Sequence, residues 1–145
     1  MSDPLYLLDT NIVFSLVRGK ELGERIDARY KLRASKVRPL VCIVTHGELR
    51  VLAGRNNWGP PKVSALLRAL EHLVTVDINH PSVLDAYVEI DLASQHRNMG
   101  KNDLWIAACA KAAGATLLTC DKDFDHLNPT LLSVEYIEPN LQPTA

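Results

Sequence analysis

The chain has 145 residues, the size of one domain. Its composition, 47% hydrophobic and 23% charged, is that of a globular protein and excludes a disordered chain, while the short apolar runs exclude a transmembrane helix. The three cysteines, Cys42, Cys109 and Cys120, are odd in number and lack the spacing of a zinc site. We therefore expect a reducing compartment, the cytoplasm, and no membrane association.

The net charge of −1 conceals a division along the chain. Residues 1–70 contain 12 Lys and Arg against 6 Asp and Glu, whereas residues 71–145 contain 4 against 11. The segment from Arg18 to Arg38 alone has eight basic and three acidic residues. This segment has two interpretations, a surface that follows the phosphates of a nucleic acid or a solvated helix face. Because of the asymmetry, the total charge does not exclude a nucleic-acid partner.

Short apolar runs alternate with longer stretches that have helical spacing. In chain order, the pattern predicts a strand at 5–8, helices at 10–18 and 20–35, a strand at 39–44, helices at 45–53 and 61–73, and a strand at 74–78. A helix that starts at Pro81 and is broken at Gly100 follows, then a helix opened by Asp103 and ending at Ala113, and strands at 116–120 and 134–137. Helical crossovers between strands predict an α/β fold, with a mostly parallel central sheet flanked by helices on both faces. We expect one domain at 1–138 and a flexible C-terminal tail at 139–145.

Acidic residues follow or face the ends of three of the predicted strands. Asp9 and Asp121 directly follow strands, and Glu48 lies in the helix after the second strand. Asp103 opens the helix that leads into the fourth strand. Each acid alone has a structural explanation as a turn or cap residue, and the four residues from Thr45 to Glu48 have capping-box spacing. Ligands of parallel α/β sheets bind at the carboxyl ends of strands, so four acids at one edge together favour a site.

Four carboxylates that lie close together repel one another, and a hard divalent cation removes this conflict. Oxygen ligands suit Mg²⁺ or Mn²⁺. Such a site can polarise a phosphodiester and activate a water molecule for attack on phosphorus. The acids are therefore compatible with phosphodiester hydrolysis.

Four ordered motifs carry a family resemblance. They are Leu7-Leu8-Asp9-Thr10-Asn11, Thr45-x-x-Glu48-Leu49, Asn102-Asp103-x-x-Ile106-Ala107-Ala108, and Leu118-Thr119-x-Asp121-x-Asp123-Phe124. In order and spacing they resemble the motifs of PIN-domain nucleases, and more closely those of VapC toxins from toxin–antitoxin pairs. The resemblance extends from about Leu5 to Leu127.

The resemblance implies a PIN-like domain and an endoribonuclease that depends on Mg²⁺, with Mn²⁺ as a substitute. It also implies a toxin that acts on RNA, is inhibited by a cognate VapB-like antitoxin and forms a homodimer. By motif match, the catalytic and metal-binding acids are Asp9, Glu48, Asp103 and Asp121. The same match gives supporting roles to Asn11, Thr119 and Asp123.

Two basic residues, Arg97 and Lys101, lie shortly before Asp103 and are candidate RNA contacts. The main alternative function is a non-catalytic PIN-like protein that binds RNA or a partner. A phosphatase or another metal-dependent hydrolase is a weaker alternative. All four motif acids are present, which favours the nuclease.

Overall fold

A parallel sheet of five short strands forms the centre of the molecule. The computed structural model describes residues 3–140. Its strands are β1 (Tyr6–Leu8), β2 (Leu40–Cys42), β3 (Val74–Val76), β4 (Thr116–Thr119) and β5 (Val134–Tyr136). They lie in the order β3-β2-β1-β4-β5, and every neighbouring pair is parallel. The α/β fold with a mostly parallel sheet is therefore confirmed.

Six α-helices and one 3₁₀ segment surround the sheet. They are α1 (Thr10–Arg18), α2 (Glu21–Tyr30), α3 (Ile43–Arg55), α4 (Pro60–Glu71), α5 (Pro81–Ala93), α6 (Lys101–Ala113) and the 3₁₀ segment (Lys122–Leu127). None of the helices in residues 3–140 is long and apolar enough to cross a membrane.

Helices cover both faces of the sheet, as the sequence predicts. Successive side chains of a strand point to opposite faces, and Leu7 and Leu8 of β1 are both fully buried. Leu7 belongs to a core that includes residues of α5 and α6. Leu8 belongs to a second core with residues of α1, α2, α3 and α4. The near-continuous apolar character of the strands follows from this burial on two sides.

The strand order creates a crevice between β1 and β4. From β1 the chain adds β2 and then β3 on one side, and it returns to the other side of β1 with β4 and then β5. Loops that leave neighbouring strands in opposite directions open a space at the carboxyl ends of those strands. We call this side of the sheet the carboxyl edge and the opposite side the amino edge.

Several helix boundaries differ from the sequence prediction, among them the end of α5, which comes at Ala93 rather than at Gly100. Helix α2 ends at Tyr30 rather than at 35, because Lys31 has a left-handed conformation (φ 54°) and its N–H bonds to the carbonyl of Asp27. This turn directs Leu32 into the core, where it is buried. Helix α3 begins at Ile43 rather than Thr45, since β2 is only three residues long. Helix α6 begins at Lys101, two residues before Asp103.

Other predictions have partial outcomes. The three cysteines are free thiols. The domain boundary at 138 stays a prediction. Most of the predicted tail, residues 141–145, lies outside the described residues.

Candidate metal and active site

The predicted acids of β1, β4 and α6 meet at the carboxyl edge, in the crevice between β1 and β4. Asp9 follows β1 directly, and its N–H bonds to the carbonyl of Leu118 in β4 at 3.0 Å. Asp121 follows β4 and begins the 3₁₀ segment, where its carboxylate accepts the N–H of Asp123 at 2.9 Å. Asp103 lies in the first turn of α6.

Three of the acids come within the spacing of a single metal site. Each of Asp103, Asp121 and Asp123 offers one carboxylate oxygen, and these three atoms all lie within 4.8 Å of one another. The motif match predicts only a supporting role for Asp123. The Asp123 carboxylate lies together with those of the two predicted ligands, Asp103 and Asp121. The reason is that the 3₁₀ segment folds Asp123 back beside Asp121.

Asp9 is almost fully buried, with an exposed fraction of 4%. Its Oδ1 accepts the N–H of Thr10 at 2.8 Å, so Asp9 caps α1. Its Oδ2 accepts the hydroxyl of Thr119 at 2.7 Å and the amide of Asn11 at 3.2 Å. Burial raises the pKa of Asp9 to about 6, the nearby Glu48 and Asp121 add to this, and the hydrogen bonds partly oppose it.

The two predicted supporting residues beside Asp9 join the ends of β1 and β4. The Asn11 side-chain oxygen accepts the N–H of Cys120 at 3.1 Å. The Thr119 hydroxyl donates to Asp9 and accepts the N–H of Asp121 at 2.9 Å. Both side chains therefore bridge the crevice and hold the two acids in register.

Glu48 reaches the site from α3 and is held by polar neighbours. Its carboxylate accepts the Thr10 hydroxyl at 2.6 Å and the Asn102 amide at 3.3 Å. Thr10 also shares a hydrogen bond of 3.0 Å with the hydroxyl of Thr45. The capping-box explanation of Thr45 and Glu48 is wrong, because α3 is capped by Cys42 without a side-chain bond.

Three further residues of the site have no predicted functional role from sequence: Thr10, Thr45 and Asn102. All three belong to the quoted motifs, directly beside or three residues before a motif acid. That adjacency is the available signal, but only the packing of α1 and α6 against α3 shows that Thr10 and Asn102 meet Glu48 and that Thr45 meets Thr10.

The five acids share one electrostatic environment, and we call them the acid cluster (Asp9, Glu48, Asp103, Asp121 and Asp123). The pKa of Asp103 is raised to about 7, first by burial and then by the charges of the other four acids. The ion pairs found within residues 3–140 involve none of these acids. Negative charge that no side-chain cation compensates fits a divalent cation with oxygen ligands.

Basic residues are distributed unevenly between the two edges of the sheet. Lys101 begins α6 two residues before Asp103, and the charge of Arg97 acts on His126 in the 3₁₀ segment. The later part of the basic segment lies elsewhere: Arg29 and Lys36 line a cleft with Asp3, directly before β1 at the amino edge. This position opposes the interpretation of the basic segment as a surface that follows phosphates into the site.

Comparisons with known proteins agree with this architecture. The sequence profile of the PIN domain matches residues 6–128. Ribonuclease VapC5 of Mycobacterium tuberculosis is 30% identical over 134 residues, which cover 90% of this chain and 93% of the relative.

Solved structures give the same result. VapBC-1 from nontypeable Haemophilus influenzae aligns with a TM-score of 0.70 and 26% identity, covering 91% of this chain and 97% of the other. VapBC2 from Rickettsia felis, solved with a DNA fragment from the promoter, aligns with a TM-score of 0.73. It is 22% identical, covers 91% of this chain and 98% of the other, and supports the fold alone. The chain belongs to the PIN domain family and, within it, to the VapC group.

Proposed function

We propose that this chain is the toxin of a VapBC-like toxin–antitoxin pair, an endoribonuclease that hydrolyses RNA phosphodiester bonds with Mg²⁺ or Mn²⁺. The observation that carries the proposal is the acid cluster, in which three carboxylates have ligand atoms within 4.8 Å of one another. The relatives support it, since one is called a ribonuclease and others are VapBC complexes.

The residues of the cluster fit a divalent metal ion. Asp103, Asp121 and Asp123 would hold it, and Asp9 and Glu48 would complete its surroundings. All the donors are carboxylate oxygens, the donor type that Mg²⁺ and Mn²⁺ prefer. When bound, such an ion acts as a Lewis acid for the phosphodiester and lowers the pKa of water.

The side chains around the acids prepare the site before substrate arrives. Thr119 and the N–H of Thr10 fix the two oxygens of Asp9. Thr10 and Asn102 fix the two oxygens of Glu48 in the same way. Carboxylates held in place need no rearrangement during the reaction, which is the main benefit of a preorganised site.

Contacts with RNA and with partner proteins complete the proposal. Arg97 and Lys101 would bind phosphates close to the acid cluster, where a negatively charged substrate needs cations. The VapBC complexes among the solved structures support a VapB-like antitoxin as partner. We also propose a homodimer and a cytoplasmic location, the latter in keeping with the free thiols.

The proposal is tested by RNA cleavage with purified protein. Wild type is incubated with RNA in Mg²⁺, Mn²⁺ or EDTA, beside Asp9→Asn, Asp121→Asn and a control, Asp125→Asn. We expect cutting with either cation and none in EDTA. The two site variants should lose at least about 100-fold in rate, because even residues that only support metal ligands cost up to that much.

Asp125 is the matched control because it is an exposed acid of the same 3₁₀ segment outside the acid cluster. Its variant should cut like the wild type. Cutting in EDTA, or equal cutting by Asp9→Asn, contradicts the mechanism. RNA binding without cutting by the wild type in either cation would instead support a non-catalytic PIN protein.

A further inference from the structure

An open groove of about 550 Å³ adjoins the acid cluster on the side of α3. Thr10, Glu48 and Asn102 form its inner end and are the groups that hydrogen-bond to one another in the site. The groove is therefore continuous with the site. A chain of nucleotides that places one phosphate at the acid cluster has an open path along α3.

The wall of the groove changes in character away from the acids. Val51 and Leu52 of α3 line it, and Val51 is a large apolar side chain that is 51% exposed. Among the residues that line the groove, the basic one is Arg55, the last residue of α3. Along α3 the groove thus offers the Glu48 carboxylate, an apolar wall and a guanidinium.

Arg55 is available to a ligand. It is exposed, and the ion pairs within residues 3–140 do not include it. Glu48 and Arg55 are seven residues apart, which is close to two full turns, so both face the same side of α3 about 10 Å apart. A stacked nucleic-acid strand rises about 3.4 Å per nucleotide, so this distance spans about three nucleotides.

We propose that this groove binds the nucleotides on one side of the bond to be cut, with Arg55 donating hydrogen bonds to a phosphate two or three nucleotides from that bond. The exposed Val51 contacts a base or ribose between them. This inference rests on the proposed function, because it takes RNA as the substrate. Guanidinium groups pair with phosphate oxygens through two parallel N–H bonds, which fixes the register of the strand as well as its charge.

The inference is tested by comparing Arg55→Ala with Arg50→Ala on an RNA that contains one mapped cleavage site. Arg50 is an exposed arginine of the same helix that lines a different groove, beside Trp58 and Leu67. Arg50→Ala therefore removes one positive charge, as Arg55→Ala does. We expect Arg55→Ala to raise KM about 5- to 10-fold, as for the net contribution of one hydrogen bond at an exposed site, with kcat within about twofold. The slope of log KM against log salt should fall by about 0.7, the value for one phosphate of a single strand.

Shortened RNAs identify the occupant of the groove. The RNA is truncated to one nucleotide beyond the cut, first on the 5′ side and then on the 3′ side. On one side, truncation should raise the wild-type KM by the same 5- to 10-fold and leave the KM of Arg55→Ala unchanged, since the two changes remove the same contact. Equal KM values for Arg55→Ala and Arg50→Ala, or truncation effects that persist in Arg55→Ala, overturn the inference.

A binding measurement separates this inference from the proposed function. The Kd of fluorescent RNA is measured in Ca²⁺ for Asp9→Asn and for the double variant Asp9→Asn with Arg55→Ala. We expect the second substitution to weaken binding about 5- to 10-fold. An unchanged Kd overturns the groove inference even if the wild type cuts RNA. If the second substitution weakens binding as expected but the wild type does not cut RNA, the groove inference is supported and the proposed nuclease activity is contradicted.

Discussion

At the scale of single residues, the acid cluster opposes the stability of the folded chain, and the proposed metal ion would offset this. The pKa of Asp103 is raised to about 7 by burial and by four neighbouring carboxylates. A carboxyl whose pKa is higher in the folded than in the unfolded chain opposes folding when it is ionised. Its place in the first turn of α6 offsets this by only about 0.3–1 kcal/mol, because a helix N-terminus favours negative charge.

We therefore expect Asp103→Asn to make the metal-free protein more stable while it removes activity. In EDTA at pH 8, where a carboxyl of raised pKa is ionised, the free energy of unfolding should increase by about 1 kcal/mol, or about 3 °C in Tm. Thermal unfolding followed by circular dichroism measures this, with Asp125→Asn as an unchanged control. With saturating Mn²⁺ the order should reverse, because the wild type binds the ion and the variant loses a ligand. A variant that is less stable than wild type in EDTA contradicts the repulsion.

The sequence predicts much of this site and misses part of it for an identifiable reason. Asp9 and Asp121 directly follow apolar runs, and the carboxyl ends of parallel strands share one edge, so their meeting follows from the pattern. Thr10 hydrogen-bonds to Glu48, 38 residues away, and Asn102 does so across 54. Those contacts depend on how α1, α3 and α6 pack, which residue spacing does not determine. Asp123 joins Asp103 and Asp121 only because a 3₁₀ segment follows β4.

At the scale of elements, the apolar runs identify every strand, but helix ends depend on tertiary contacts. The basic residues after Tyr30 suit a longer α2, and local propensity supports helix up to 35. Burial of Leu32 favours the left-handed turn at Lys31 instead. Continuing the helix through an exposed polar segment adds little to the free energy of unfolding. Burying a leucine side chain adds about 2 kcal/mol.

Helices α1 and α2 approach each other closely at Gly23. A Cβ added at Gly23 would stand 2.2 Å from the carbonyl oxygen of Ser15, a backbone atom that cannot turn aside. A Cβ added at Gly54 of α3 would instead point into open space, with no atom within 4 Å. The two glycines therefore allow one substitution to be compared in two environments.

We expect Gly23→Ala to lower the free energy of unfolding by about 1–3 kcal/mol, because α1 and α2 must move apart. Gly54→Ala should instead raise it by about 0.5–1 kcal/mol, since alanine is the better helix former where no contact opposes it. Urea unfolding of both variants measures the difference. A stabilised Gly23→Ala would show that α1 and α2 are not in close contact.

At the scale of the whole molecule, charge is arranged along the direction of the strands. The acid cluster occupies the carboxyl edge, where Lys101 begins the helix that carries Asp103, and the later basic segment lines a cleft at the amino edge. A strand of three or four residues is about 10–14 Å long at about 3.3 Å per residue. This exceeds the Debye length of about 8 Å at physiological salt, so charges at one edge are largely screened from the other.

Reversing one charge at each edge therefore tests whether position or total charge controls RNA binding. Lys36→Glu changes an exposed lysine of the amino-edge cleft, and Lys101→Glu changes an exposed lysine two residues before Asp103. Both variants have the same net charge. At physiological salt we expect Lys101→Glu to raise KM for RNA about 10-fold or more, because it replaces a phosphate contact with a like charge, and Lys36→Glu to stay within about twofold. Equal increases in KM would mean that RNA binding depends on total charge. A larger increase for Lys36→Glu would support the interpretation of the basic segment as a surface that follows RNA phosphates.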